Sequence, residues 1–148
     1  DQANLAASAY GAHKRKVNFQ ALLPELARGR KVHRALAFVV DNGGSAFDAF
    51  CDTLRRAGWE LRVKKPKVFA DGKTKADWDM GIAVAAIEEA DRVENVVLVS
   101  GDGDFVPLVR LLRRRGNADE VAAFANGLSH ELREAADSVI KLDTRTLE

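Results

Sequence analysis

At 148 residues, with 47% hydrophobic and 30% charged side chains, the chain has the composition of one ordinary globular domain. A formal net charge of only +1 excludes a global field for nucleic acid, so any such affinity must come from local patches. No apolar run approaches the roughly 20 residues of a membrane span, no secretory signal is present, and the single cysteine excludes an internal disulfide. A reducing, cytoplasmic setting without membrane association is the expectation.

Strand and helix patterns alternate along the chain. Residues 4–11 suit a short helix, and Asn18 is placed to cap a second one reaching Gly29. Pro24 must sit in the first turn of that helix or kink it. Ala35-Leu36-Ala37-Phe38-Val39-Val40 is a continuous apolar strand of the kind covered on both faces. Residues 45–57 read as a helix ended by Gly58, and Cys51 lies there at helical spacing from Phe47, Phe50 and Leu54, a buried thiol rather than a nucleophile. Residues 59–63 alternate as a strand does, and a basic segment, 64–75, follows. Residues 77–90 form a helix with Met80, Ala83, Val84 and Ile87 as its apolar stripe. Residues 95–100 are again a buried-type strand. Asp104 is placed to cap the next helix, with Pro107 in its first turn and Gly116 at its end. Strand, helix and strand follow at 121–124, 129–136 and 138–142. Short connections of this kind predict an α/β fold, one domain over residues 1–148, with a mainly parallel central sheet and helices on both faces.

Four carboxylates fall where such a fold gathers side chains. Asp102 and Asp104 follow the apolar strand directly, Asp1 precedes the first helix, and Asp79 starts the helix after the basic segment. Strand ends and helix starts share one edge of a parallel sheet, so all four can converge. Two carboxylates one residue apart on a tight turn repel unless a proton or cation lies between them. A hard divalent ion such as Mg²⁺ suits their oxygens. An aspartate at a helix start is also an ordinary cap, worth about 0.5–2 kcal/mol. Asp104 can serve both ways, whereas Asp102 has no evident capping task. His13, His33 and His130 show no ligand spacing. The cations Arg62, Lys64, Lys65, Lys67, Lys73 and Lys75 lead into the acidic helix; they either hold phosphates or form a solvated loop. Trp78 either stacks on a base or belongs to the core. Arg110 and Arg113 to Arg115 close a helix C-terminus, where cations are favoured in any case.

With Asp1-Gln2-Ala3-Asn4-Leu5, Lys75-Ala76-Asp77-Trp78-Asp79-Met80 and Ser100-Gly101-Asp102-Gly103-Asp104-Phe105-Val106-Pro107-Leu108 in this order, and Leu132-Arg133-Glu134-Ala135-Ala136-Asp137-Ser138-Val139-Ile140 at the end, the chain resembles the NYN domains. The likeness is to their LabA-like branch, within the PIN-like nuclease superfamily, and spans essentially the whole chain. It implies a PIN-like three-layer sandwich and a metal-dependent ribonuclease whose acidic site holds Mg²⁺ or Mn²⁺ and whose substrate is RNA. Carried over by position, the catalytic and metal-binding residues are Asp1, Asp79, Asp102 and Asp104. Asn4 and Ser100 match polar accessory positions; with Lys64, Lys65, Lys67, Lys73 and Lys75 they form the expected substrate-binding set.

Two departures from the family pattern stand out. Ala85 occupies a position where the family usually carries another aspartate, roughly 9 Å along the helix from Asp79 and so outside its immediate shell. The strand that leads into the position of Asp1 in the family is not in the chain, and the complete protein is expected to carry about five to seven further residues upstream. A true amino terminus at Asp1, with an ordinary pKa of about 7.7–8.0, would place a cation beside the site. The resemblance leads to an endoribonuclease; the alternative is a catalytically weak or inactive RNA-binding or regulatory module, which Ala85 favours. A phosphatase with an aspartate nucleophile would set its Asp-x-Asp pair on the strand end without the Ser100-Gly101 spacer. Whether the chain is a monomer or a homodimer is left open by the sequence.

Overall fold

The computed structural model describes residues 1–148. In chain order its elements are α1 (Gln2–His13), α2 (Phe19–Ala27), β1 (Leu36–Val40), α3 (Phe47–Arg56), β2 (Glu60–Lys64), β3 (Lys67–Val68), β4 (Thr74–Lys75), α4 (Asp79–Ala90), β5 (Asn95–Val99), α5 (Val106–Arg114), β6 (Ala118–Ala123), α6 (His130–Ala135) and β7 (Ser138–Lys141). Single 3-10 turns occupy Gly103–Phe105, Ala125–Gly127 and Thr144–Thr146.

The apolar runs of β1 and β5 have no polar face, so they can lie only between two helical layers. Period-two alternation divides their side chains between two cores. On one side Ala37, Val39, Ala122 and Ile140, with Phe124 just beyond β6, meet Leu5 and Ala9 of α1, Leu22 and Leu26 of α2, and Leu54 of α3. On the other, Phe38, Leu98 and Val121 meet Ile82 of α4, Leu108, Val109 and Leu112 of α5, and Leu132 of α6. This is the three-layer α/β sandwich expected from the sequence.

Within the middle layer β1 and β2 pair in parallel, Phe38 opposite Arg62. Strands β5, β6 and β7 form a second parallel set in that order, Leu98 opposite Val121 and Ala122 opposite Ile140. Strands β3 and β4 are a separate antiparallel hairpin. Neither β1 nor β5 has a partner on its second edge. An apolar cleft of ≈ 530 Å³ lies there, lined by Ala37, Phe38, Val97 and Val99 from the strands and reaching Asp1 and Leu5. Two unpaired parallel edges thus face an apolar slot.

Local differences from the sequence expectations have physical causes. Pro24 sits in the second turn of α2, which nevertheless runs on to Ala27 with Asn18 capping its start through the amides of Gln20 and Ala21. The buried face of Leu22 and Leu26 outweighs the lost backbone bond. The basic segment folds as the β3–β4 hairpin, whose two-residue strands are too short to show alternation. Met80 and Val84 are exposed, while Ile82 and Ala90 are the buried residues of α4. That helix is apolar on almost every side, so periodicity alone did not pick its inner face. Cys51 is buried, and burial pushes its thiol above the ordinary range.

Fusing a strand-length apolar segment of about six residues directly ahead of Asp1 is expected to raise the melting temperature by several degrees. Thermal unfolding followed by circular dichroism, with and without the segment, measures this. An unchanged or lowered midpoint would show that the slot does not accept a strand.

Candidate metal centre

The carboxyl-terminal ends of the strands and the starts of α1 and α4 meet at one edge of the molecule, where open parallel sheets carry their chemistry. Ser100, fully buried just past β5, donates from Oγ to Asp1 Oδ2 at 2.8 Å and accepts the Asp102 amide at 3.3 Å. Asn4 Oδ1 accepts the Gly101 amide at 3.0 Å. Asp1 Oδ1 in turn accepts the Asn4 amide at 3.3 Å and caps α1, which therefore begins at Gln2. A Cβ on Gly101 would lie 1.7 Å from the Gly127 carbonyl oxygen, and one on Gly127 would lie 2.0 Å from Ser8 Oγ. At Gly101 the neighbour is backbone, so only glycine fits, whereas at Gly127 it is the Ser8 side chain, packed against the turn.

Asp102 Oδ1 accepts the Asp104 amide at 2.9 Å and caps the 3-10 turn 103–105, after which α5 begins at Val106 with Pro107 in its first turn. The capping roles expected from the sequence are thus exchanged. The intervening 3-10 turn moves the cap back from Asp104 to Asp102 and leaves Asp104 exposed.

Asp79 is the first residue of α4, and its amide donates to Asp77 Oδ1 at 3.2 Å. The start of that helix is anchored to β1 by Trp78, whose indole donates to the Val39 carbonyl at 2.9 Å and whose ring meets Phe38 edge-on, centroids 5.3 Å apart. Trp78 is thereby a packing residue, with the Lys64 ammonium 4.5 Å from its ring centroid. The carboxylates of Asp79, Asp102 and Asp104 each offer an oxygen within 4.8 Å of the other two. Burial, and then the charges of Asp102, Asp77 and Asp104, push the Asp79 carboxyl above the usual carboxylate range, with Lys64 pulling the other way. Three hard oxygen donors under mutual repulsion fit the chemistry of Mg²⁺ or Mn²⁺.

Asp1 lies outside that group of three. It lines the same ≈ 340 Å³ cleft as Asp77, Asp79 and Asp102, with its carboxylate engaged by Ser100 and the Asn4 amide. Burial draws a free amino group at Asp1 down to about 5, partly opposed by Asp79. Asp77 is the residue the sequence reading missed. Its signal was the spacing Asp77-Trp78-Asp79, the same Asp-x-Asp interval as Asp102-Gly103-Asp104.

Of the predicted cations, Lys64 donates to the Asp77 carbonyl, and Lys75 approaches Asp77 Oδ2 at 3.9 Å. Lys65, Lys67 and Lys73 are exposed, while Arg62 is bonded to Glu60 at 2.9 Å. Ala85 packs with the apolar side chains of the α4–α5 core and lines the strand slot, not the acidic cleft.

Comparison with known proteins agrees with this fold. The NYN domain family profile matches residues 1–143. The low amplitude and bright protein LabA of Synechococcus elongatus is 31% identical over 100 residues, covering 64% of this chain and 54% of its own length. The chain therefore spans about half the length of that curated relative. A crystal structure of a protein of unknown function from Vibrio parahaemolyticus superposes with a TM-score of 0.90 at 29% identity, over 100% of this chain and 92% of that one.

Because ionising Asp79 is disfavoured in the fold, its contribution to stability falls as pH rises from the ordinary carboxylate range through its raised folded pKa. Asp79→Asn is accordingly expected to raise the metal-free melting temperature at pH 7 by roughly 2–4 °C, with less effect near pH 4. Scanning calorimetry in chelator at both pH values checks the sign. Gly101→Ala should cost about 3 kcal/mol or prevent folding, and urea unfolding of the two proteins gives the difference.

Proposed function

The chain belongs to the NYN domain family, whose domains are generally nucleases, and from that premise we propose that it is a metal-dependent endoribonuclease hydrolysing RNA phosphodiester bonds. The observation that carries the reading is the convergence of Asp79, Asp102 and Asp104 from two segments distant in sequence. These three side chains would hold Mg²⁺ or Mn²⁺, with Asp1 in the wall of the same cleft. An ion bound there supplies a water of lowered pKa and neutralises charge at the leaving oxygen, so no histidine base is required. Ser100 and Asn4 hold the acidic loop against α1 while substrate enters. Lys65, Lys67, Lys73 and Lys75, on and beside the adjoining hairpin, offer phosphate contacts without crowding the acids.

A second reading, an RNA-binding or regulatory module with little catalysis, is favoured by Ala85, where the family pattern has a further carboxylate. End-labelled single-stranded RNA incubated with the full chain and Mg²⁺ or Mn²⁺ distinguishes the two. The nuclease reading expects internal fragments, lost with chelator and slowed on the order of 100-fold or more in Asp102→Asn, since a direct ligand should cost at least what an outer-shell partner does. RNA retained uncut by both proteins would establish the module instead. Equal cutting by both would place the activity outside this site.

A further inference from the structure

The β3–β4 hairpin carries a charge arrangement that folding alone does not call for. Its register sets Lys67 directly opposite Lys75. The Phe69 amide donates to the Lys73 carbonyl at 2.9 Å and extends the ladder by one more pair. Cross-strand partners project from the same side, so Lys67, Phe69, Lys73 and Lys75 share one face. Like charges directly opposite weaken a strand pair, and strands two residues long have little to offset the loss. Among these lysines, Lys75 is the one with a carboxylate within ion-pair distance, Asp77 at 3.9 Å, and both are exposed.

Phe69 stands among them, 45% exposed, with the Lys67 ammonium 5.9 Å from its ring centroid. The turn does not depend on that ring. Asp71 Oδ1 accepts the Lys73 amide at 3.0 Å, and Gly72 supplies the left-handed residue at φ +82°. A large apolar ring framed by three lysines is thus left in water. The hairpin also adjoins the acidic cleft, because Lys64 at the end of β2 donates to the carbonyl of Asp77, which lines that cleft.

We propose that this face docks an unpaired stretch of RNA, one base stacking on Phe69 while the flanking phosphates engage Lys67, Lys73 and Lys75. Charge complementarity selects a polyanion, and the ring selects one whose bases are free. Every base has a π face, so the platform discriminates single strands from duplexes and tolerates sequence. Anchored at the hairpin, the strand is held in register with the acidic cleft, which makes Phe69 a positioning residue. The choice of RNA rests on the ribonuclease reading; the docking itself needs no metal.

Fluorescence anisotropy of the full chain in chelator, with a short labelled single-stranded RNA and with the same sequence as a duplex, tests this. Phe69→Ala is expected to weaken single-strand binding about 5- to 150-fold with the salt dependence unchanged, and Phe69→Trp to restore it. Lys67→Gln with Lys73→Gln should flatten the dependence of log affinity on log salt by about 1.4, two phosphate contacts at roughly 0.7 each. Circular dichroism melts of all variants should coincide with the unaltered chain, these side chains being exposed. Affinities within twofold for both Phe69→Ala and the lysine pair overturn the proposal, as does a duplex bound as tightly as the single strand. Asp102→Asn separates the two readings. Normal binding by that variant with no cleavage by the unaltered chain leaves the hairpin standing and removes the nuclease, whereas cleavage indifferent to Phe69 and the lysines removes the docking site alone.

Discussion

Ser100 and Asn4 hold this structure's chemistry in place. One binds Asp1 and the Asp102 amide, the other binds the Gly101 amide, and together they fasten the start of α1 to the end of β5. The two parallel half-sheets do not pair with each other, so their relation depends on such cross-ties and on the cores above and below. The contact of Gly101 with Gly127, and of Gly127 with Ser8, makes α1, the acidic loop and the turn 125–127 one packed unit. Trp78 performs the matching task for α4 through its bond to the Val39 carbonyl.

Carboxylates also meet at the other edge of the sheet, with different neighbours. Where β6 and β7 begin, buried Asp119 accepts the Asp137 amide at 2.5 Å, Asp137 accepts the Asp119 amide at 3.1 Å, and Arg113 meets Asp137 at 2.7 Å. The backbone bond from Asp119 holds the Asp137 carboxyl below its usual range, while burial pushes the Asp119 carboxyl up and leaves its Oδ2 without a partner. At the acidic edge the Asp79 carboxyl is pushed upward by burial and by its neighbours. The difference lies in the neighbours: Arg113 reaches Asp137, whereas no arginine or lysine forms an ion pair with Asp79, Asp102 or Asp104.

What could be read from the sequence was what is local. The apolar runs of β1 and β5, the turn glycines and the interval Ser100 to Asp104 each announce themselves within a few residues, and from them came the layered fold and the pair at 102 and 104. Asp79 required only that strand ends and helix starts share an edge. Other features depended on contacts no short window contains. The exchange of caps between Asp102 and Asp104 follows from a 3-10 turn, and the engagement of Asp1 follows from a serine far along the chain. The inner face of α4 was hidden because alanines, Ile82 and Val84 leave it apolar nearly all round. The hairpin was hidden because its strands are shorter than the alternation that reveals a strand.

The unpaired edges of β1 and β5 bear on how the two halves of the sheet are joined. The unit β1–α3–β2 and the unit β5–α5–β6–α6–β7 are each continuous in sequence and each completes its own ladder. No strand hydrogen bond crosses between them, and the two cores, each drawing on both units, hold them together. A strand laid in the slot between them would join the two ladders and lead to Asp1, which lines both the slot and the acidic cleft.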